Sequence, residues 1–325
     1  MTDSLTQRLH ELRAERNLST TDLTTVEALS REDIDLLFTL AREFRKAKTA
    51  KLDLLKGRSV ALAFFESSTR TQSSFDWAAK QLGADTVGVG SGTAEKKHES
   101  FLDVAQVIDA MNAAAVVIRT EYSGLPQQIS KHTSAAIINA GDGWHEHPTQ
   151  GLLEALTAMD ELGSLEGKVV TFVGDVLHSR VFGSSARLLR TLGARVRVAA
   201  PLTFLPEQVE EVFGVEVFTD VEAALPGSDI VNVIRVQNER GATGDIPTIR
   251  EYSKAFGISR QRLALAKPGA ILMHAGPVQR DTDIHHALMT VPESRILQMV
   301  ENGLALRKAL LWLLCTGPTK SYTRI

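Results

Sequence analysis

Residues 59–82 read SVALAFFESSTRTQSSFDWAAKQL. An apolar, strand-like run from Val60 to Phe65 is followed by Glu66 to Thr71 (ESSTRT), and then by Phe75, Ala78, Ala79 and Leu82 on one face of an amphipathic helix. A strand that turns directly into a helix leaves the first-turn N–H groups pointing outward, and the helix dipole favours negative charge there. Consecutive small hydroxyl residues leave that turn open, and Arg70 adds a forked, permanently charged donor. The expected ligand is a small phosphate compound. A plainer reading, in which Ser and Thr only cap the helix, fits the same residues.

Composition narrows the choice. With 325 residues the chain is long enough for two domains, each with a full core. A formal charge of −3 with acids and bases well mixed argues against a sequence-independent nucleic-acid surface. Cys315 is the single cysteine, so no internal disulfide forms. The opening TDSLTQRLHELRAERNL is charged and lacks the apolar centre of a secretory signal. The apolar LALRKALLWLLC near the end is cut by Arg307 and Lys308 and is far too short for a membrane span. The expectation is a cytoplasmic enzyme of small molecules, with no nucleic-acid or membrane partner.

Strand-like runs recur at Val60–Phe65, Thr86–Val89, Ala115–Arg119, Ala136–Asn139, Val169–Val173, Val196–Ala199, Ile230–Ile234 and Ala270–His274, mostly separated by helical patterns. This alternation predicts an α/β fold with two doubly wound parallel-sheet domains. Pro148 opens a helix that Gly163 closes, and SLEGK leads into a new strand. The expected domains are therefore 1–148 plus 304–325, and 149–303. A last helical pattern, Arg295 to Leu314, is expected to break near Asn302 and Gly303 and to cross back onto the first domain. The first 17 residues read as a polar extension with helical tendency.

In doubly wound sheets ligands sit at the carboxyl ends of strands, and the polar residues gather at those ends here. Ser68, Thr69, Arg70 and Thr71 follow the first run, Arg119 ends the third, and His147 to Gln150 follow the fourth. In the second half His178, Ser179 and Arg180 follow VVTFV, Arg235 to Gln237 follow DIVNVI, and His274, Ala275, Gly276 and Pro277 follow AILM. A lone arginine at a strand end is usually a solvated residue. Four of them at successive ends suit a pair of polyanionic substrates.

In order along the chain stand STRT, Lys97 in a loop before Glu-Ser, VVIR, HPTQ, HSR, RVQ-x-ER and H-x-GP. This series resembles the catalytic chains of aspartate carbamoyltransferases, in the aspartate/ornithine carbamoyltransferase family, over nearly the whole length. The resemblance implies transfer of a carbamoyl group from carbamoyl phosphate to L-aspartate, the committed step of pyrimidine synthesis, with no metal and no organic cofactor. It names the first domain the carbamoyl phosphate domain and the second the aspartate domain. It implies that Ser68, Thr69, Arg70 and Thr71 hold the phosphate, that Arg119 and His147 polarise the carbonyl, and that Gln150 binds the amino group. It gives Arg180, Arg235 and Gln237 to the aspartate carboxylates and the backbone of Ala275, Gly276 and Pro277 to the carbamoyl group. Lys97, with Thr93 on the same loop, would reach a neighbouring subunit's site, which implies a homotrimer, with a regulatory chain or a dihydroorotase as further partners.

Some positions depart from the family pattern. His98 stands where glycine is usual, Thr93 where serine is, Thr120 and Glu121 replace a His-Pro-like pair, Gln72 occupies a place often held by arginine, Ser67 one often Pro or Ala, and Ala275 replaces a common proline. Four other readings compete. A nicotinamide dehydrogenase lacks G-x-G-x-x-G after VVTFV. A zinc hydrolase would use His145 and His147, but no further ligand cluster is evident, and His132, His285 and His286 read as solvated. An ornithine carbamoyltransferase would carry a cysteine at the HCLP-like turn, where Ala275 stands. A non-catalytic homologue retained as an assembly scaffold is the fourth.

Overall fold

The computed structural model describes residues 2–14, 16–47, 51–90, 100–237, 246, 248–318 and 320. Two compact units emerge, Met1–Leu152 with Glu301–Ile325, and Leu153–Val300. The divisions fall inside two helices, Pro148–Leu162 and Ile296–Cys315.

The first unit holds β1 (Ser59–Phe64), β2 (Asp85–Gly90), β3 (Ala115–Thr120) and β4 (Ala136–Asp142), all parallel, in the order β2-β1-β3-β4. β1, β3 and β4 are apolar and almost wholly buried, as strands covered on both faces must be. Ala61, Ala63, Val116, Ile118 and Ile137 pack against Ala105 and Ile108 of the helix Phe101–Ala110. The second unit holds β5 (Val169–Gly174), β6 (Arg195–Ala199), β7 (Glu216–Phe218), β8 (Ile230–Ile234) and β9 (Ile271–His274), also parallel, ordered β7-β6-β5-β8-β9. Val173, Val231, Val233 and Leu272 form its core with Ile258, Ile284 and Leu288. The strand order reverses between β1 and β3 in one sheet and between β5 and β8 in the other, and these are the points where such sheets bind ligands.

All eight expected strands are present, seven within a residue of their expected ends and β4 running three residues further, to Asp142. The addition is β7, three residues of an incompletely buried edge.

One expectation about the chain's last helix is corrected. The last helix runs unbroken from Ile296 to Cys315. Asn302 is fully buried, and its side-chain oxygen accepts a hydrogen bond from Arg45 at 2.6 Å, so it does not compete with the helix backbone. Arg307 and Lys308, which cut the apolar run in the sequence, are themselves buried. The Arg307 guanidinium lies over the Phe75 ring and donates to Ser74 Oγ at 2.9 Å, while burial pushes its pKa down to about 10. The polar start forms a helix, Thr2–Ala14, in keeping with its helical tendency. Leu9 is fully buried, and His10 and Arg13 pack on the ring of Trp312. Arg13 also donates to the Thr316 carbonyl at 2.6 Å, beyond the end of the last helix.

Cys315 ends that helix with its thiol buried, which pushes its pKa up to about 12. As the only cysteine it makes a clean probe. Ellman's reagent should find no reactive thiol in the native protein over minutes and one thiol per chain in guanidinium. Rapid labelling of native protein would contradict this packing.

Candidate active site

The helix Thr69–Gln81 begins at the carboxyl end of β1, with Ser68 as its N-cap. The serines that cap the helices Arg31–Lys46, Phe101–Ala110, Arg180–Thr191 and Arg260–Leu263 each accept a hydrogen bond from a first-turn N–H. Ser68 makes no such bond. Its first turn therefore stays open to an anion, which favours the phosphate reading over the capping one. Arg70 and Thr69 are exposed, Ser68 is half-buried and Thr71 is buried.

Thr71 Oγ1 lies 3.5 Å from His147 Nε2. His147 and Gln150 are both buried, at the start of the helix Pro148–Leu162, where the Gln150 amide donates to the His147 carbonyl at 2.9 Å. Arg119, the penultimate residue of β3, donates to the Ala140 carbonyl at 3.3 Å and pairs with Glu66 at 3.2 Å. β1, β3 and the loop after β4 thus bring Ser68–Thr71, Arg119 and His147 to one edge of one sheet. Sequence reasoning passed over Glu66, although it sits inside the quoted ESSTRT. An acid in an anion-binding loop was the signal.

In the second unit the ends of β5 and β8 meet at Gly174. Its φ is +128°, and a Cβ there would stand 2.1 Å from the Ile234 carbonyl oxygen, so a side chain is excluded. Asp175 follows, fully buried. One of its carboxylate oxygens meets His178 Nδ1 at 2.9 Å and the other accepts from the Gln237 amide at 3.1 Å. Burial raises the Asp175 pKa, with those donors opposing the rise. This carboxyl ties the segment of Arg180 to the segment of Arg235 and Gln237. Arg180 is buried, whereas Arg235 and Gln237 are half-buried.

Beyond β9, His274 Nδ1 accepts from the Gly276 amide at 2.7 Å, which puts the ring proton on Nε2, facing Asp283 at 3.2 Å. Ala275 and Gly276 are half-buried and Pro277 is exposed, after a cis peptide bond. The buried Tyr252 hydroxyl is held well above its usual pKa by burial and by the nearby Asp283 and Asp175 carboxyls. Asp175 and Asp283 were not singled out from the sequence. Thr93, Lys97 and His98 lie outside the described residues.

Among the described residues one His/Asp group is close enough to share a cation, Asp281 with His285 and His286. All three are exposed, and the Asp281 carboxylate is engaged by the His286 amide and ring. No described helix is long and apolar enough to cross a membrane.

Two parallel sheets, each with basic residues at the point where its strand order reverses, define an α/β enzyme of anionic small molecules. The family model for the carbamoyl phosphate-binding domain of aspartate/ornithine carbamoyltransferases matches residues 21–160, and the model for the Asp/Orn-binding domain matches residues 166–314. The chain belongs to the aspartate/ornithine carbamoyltransferase family. It is 45% identical over 293 residues to an aspartate carbamoyltransferase catalytic subunit of Sorangium cellulosum, spanning 89% of this chain and 91% of that one. With the corresponding subunit of a Parafrankia species it shares 46% over 301 residues, spanning 92% and 96%. An aspartate transcarbamoylase from Trypanosoma cruzi, solved with carbamoyl aspartate and phosphate, superposes with a TM-score of 0.79 at 29% identity, covering 90% of this chain and 95% of that one. The ornithine carbamoyltransferase of Thermus thermophilus shares the fold, with a TM-score of 0.82 at 23% identity over 91% and 99% of the two chains.

Proposed function

We propose that this chain transfers the carbamoyl group of carbamoyl phosphate to the amino group of L-aspartate, giving N-carbamoyl-L-aspartate and phosphate for pyrimidine synthesis, as a cytoplasmic homotrimer. The observation that supports it best is the uncapped helix start at Ser68 beside Arg119 and His147, in a chain this similar to aspartate carbamoyltransferase catalytic subunits.

The first-turn N–H groups and hydroxyls of Ser68, Thr69 and Thr71, with the Arg70 guanidinium, hold the phosphate. Arg119 and His147 donate to the carbonyl oxygen, where negative charge grows as the amine attacks, and Gln150 binds the carbamoyl amino group. Until substrate arrives, Glu66 holds the Arg119 guanidinium at the sheet edge. Arg180, Arg235 and Gln237 take the two carboxylates, and the backbone of Ala275, Gly276 and Pro277 orients the carbamoyl group. Two arginines suit a dicarboxylate; ornithine has one carboxylate and a cationic side chain. The departing phosphate accepts the amine proton, so no strong protein base is needed.

Incubation with carbamoyl phosphate and L-aspartate should yield carbamoyl aspartate, while L-ornithine in its place yields no carbamoylated product; the reverse result, or none with either, refutes the assignment. In the same assay Arg70→Ala should lose on the order of a thousandfold in turnover with the fold intact, because its charge meets the leaving phosphate.

Arg180→Ala and Arg235→Ala should each cost roughly 2–5 kcal/mol in kcat/KM for aspartate and leave carbamoyl phosphate affinity within a few fold. Collapse of carbamoyl phosphate binding instead would mean that the two halves are misassigned.

Lys97 and Thr93 complete the proposal as residues lent across the trimer interface. Mixed Lys97→Ala and Arg70→Ala chains, each inactive alone, should recover part of the wild-type rate, since some interfaces receive an intact Lys97 and an intact Arg70. Hybrid trimers, verified by mass, that stay inactive would put Lys97 in its own chain's site.

A further inference from the structure

Asp142 is the last residue of β4 and is buried. Four N–H groups converge on its carboxylate. One oxygen accepts from the Asn139 side chain at 2.9 Å and the Glu146 amide at 3.1 Å; the other accepts from the Gly124 amide at 2.7 Å and faces His145 Nδ1 at 3.0 Å. The backbone amide of Asp142 also donates to the Glu146 carbonyl at 3.0 Å, closing the turn that ends at His147.

Gly124 belongs to a different loop, the one that leaves β3 just after Arg119. The two loops are held together by more than this carboxylate. The Gly143 amide donates to the Thr120 carbonyl at 3.0 Å. Gly143 has φ +47°, and a Cβ there would stand 2.2 Å from Ser123 Oγ and 2.9 Å from the Glu121 carbonyl oxygen. Thr120 is fully buried and its hydroxyl accepts from the Tyr122 amide at 3.2 Å, which gives a local purpose to a residue that departs from the family pattern. The β3–β4 register shifts here: Ile118 pairs with Asn139, yet Thr120 pairs with Asp142, so β4 has one extra residue opposite Arg119. Arg119 donates to Ala140 inside that irregularity.

We propose that Asp142 is a positioning residue for the carbamoyl-transfer step, a single buried acceptor that fixes Arg119 and His147 relative to each other. It rests on the roles given to those two residues above. Both donate to the same developing oxyanion, so their separation must be held within a fraction of an ångström, and displacement of about 1 Å can cost roughly a hundredfold in rate. A carboxylate is required because all four partners are donors. Asparagine has the same shape but turns an NH2 toward two of them.

The test compares full-length wild type with Asp142→Asn, measuring turnover with both substrates and binding of inorganic phosphate by calorimetry. Asp142→Asn should lose roughly 10–100-fold in kcat while its phosphate Kd stays within threefold of wild type, because the Ser68–Thr71 cradle is built on another helix. A folded variant with kcat within threefold of wild type overturns the proposal. So does a parallel fall in kcat and phosphate affinity, the signature of a purely structural acid. If Asp142→Asn does not fold, Thr120→Val decides: it strands the Tyr122 amide on the same loop and should lower kcat roughly fivefold at unchanged phosphate affinity, and wild-type turnover there overturns the proposal equally. A wild type that makes no carbamoyl aspartate would instead refute the functional assignment.

Discussion

Parallel strand pairing is the constraint on which the rest of the molecule depends. When every strand of a sheet points the same way, every carboxyl end opens onto the same edge, and chain reversal at one place leaves a gap between diverging loops. β1 and β3 flank that gap in the first unit, β5 and β8 in the second. Arg70 and Arg119 follow or end the first pair, and Arg180 and Arg235 follow the second. The arginines are distant in sequence, yet within each unit the topology delivers them to one edge.

What holds those edges rigid is a set of buried acids used as acceptors rather than as charges for solvent. Asp175 joins the loops after β5 and β8, Asp283 fixes the turn after β9 through His274, and Asp142 joins the loops after β3 and β4. A buried carboxylate without donors would be costly, and one that gathers several N–H groups from separate segments stabilises a single arrangement of all of them. Asp283 retains one buried oxygen with no hydrogen-bond partner, so its environment is less complete than that of Asp142.

The sequence exposed some of this better than the rest. Six of the nine strands are largely apolar and mostly buried, and such runs stand out; β6 alternates arginine with valine, and β2 is edge-exposed yet still reads as Thr-Val-Gly-Val. Glu-Val-Phe of β7 has too few residues to carry a pattern. Asn302 and Gly303 resemble a helix break by local propensity, and the satisfied contact with Arg45 overrides it. The polar Thr2–Ala14 helix concealed its purpose because one leucine and the contacts of His10 and Arg13 with the Trp312 ring do the docking. Arginine, histidine and hydroxyl positions were legible as strand-end chemistry. The acids that brace them were not, since an aspartate whose partners are backbone amides of another loop looks, in one dimension, like any solvated aspartate.

The first unit is assembled from both ends of the chain. Residues 1–152 supply its sheet, and the part of the last helix after residue 301 supplies Leu306, Leu310, Trp312 and Leu313, all buried. About 150 residues intervene, and at a synthesis rate of roughly 5–20 residues per second they take about 8–30 s to emerge from the ribosome. During that interval Phe44, which meets the Trp312 ring at 6.1 Å in the finished fold, has no partner for that face. The second unit has no such gap in its chain, so the nascent polypeptide completes its later-encoded unit before its earlier one, and the exposed groove that waits for the final helix is the stage at which chaperone protection matters most.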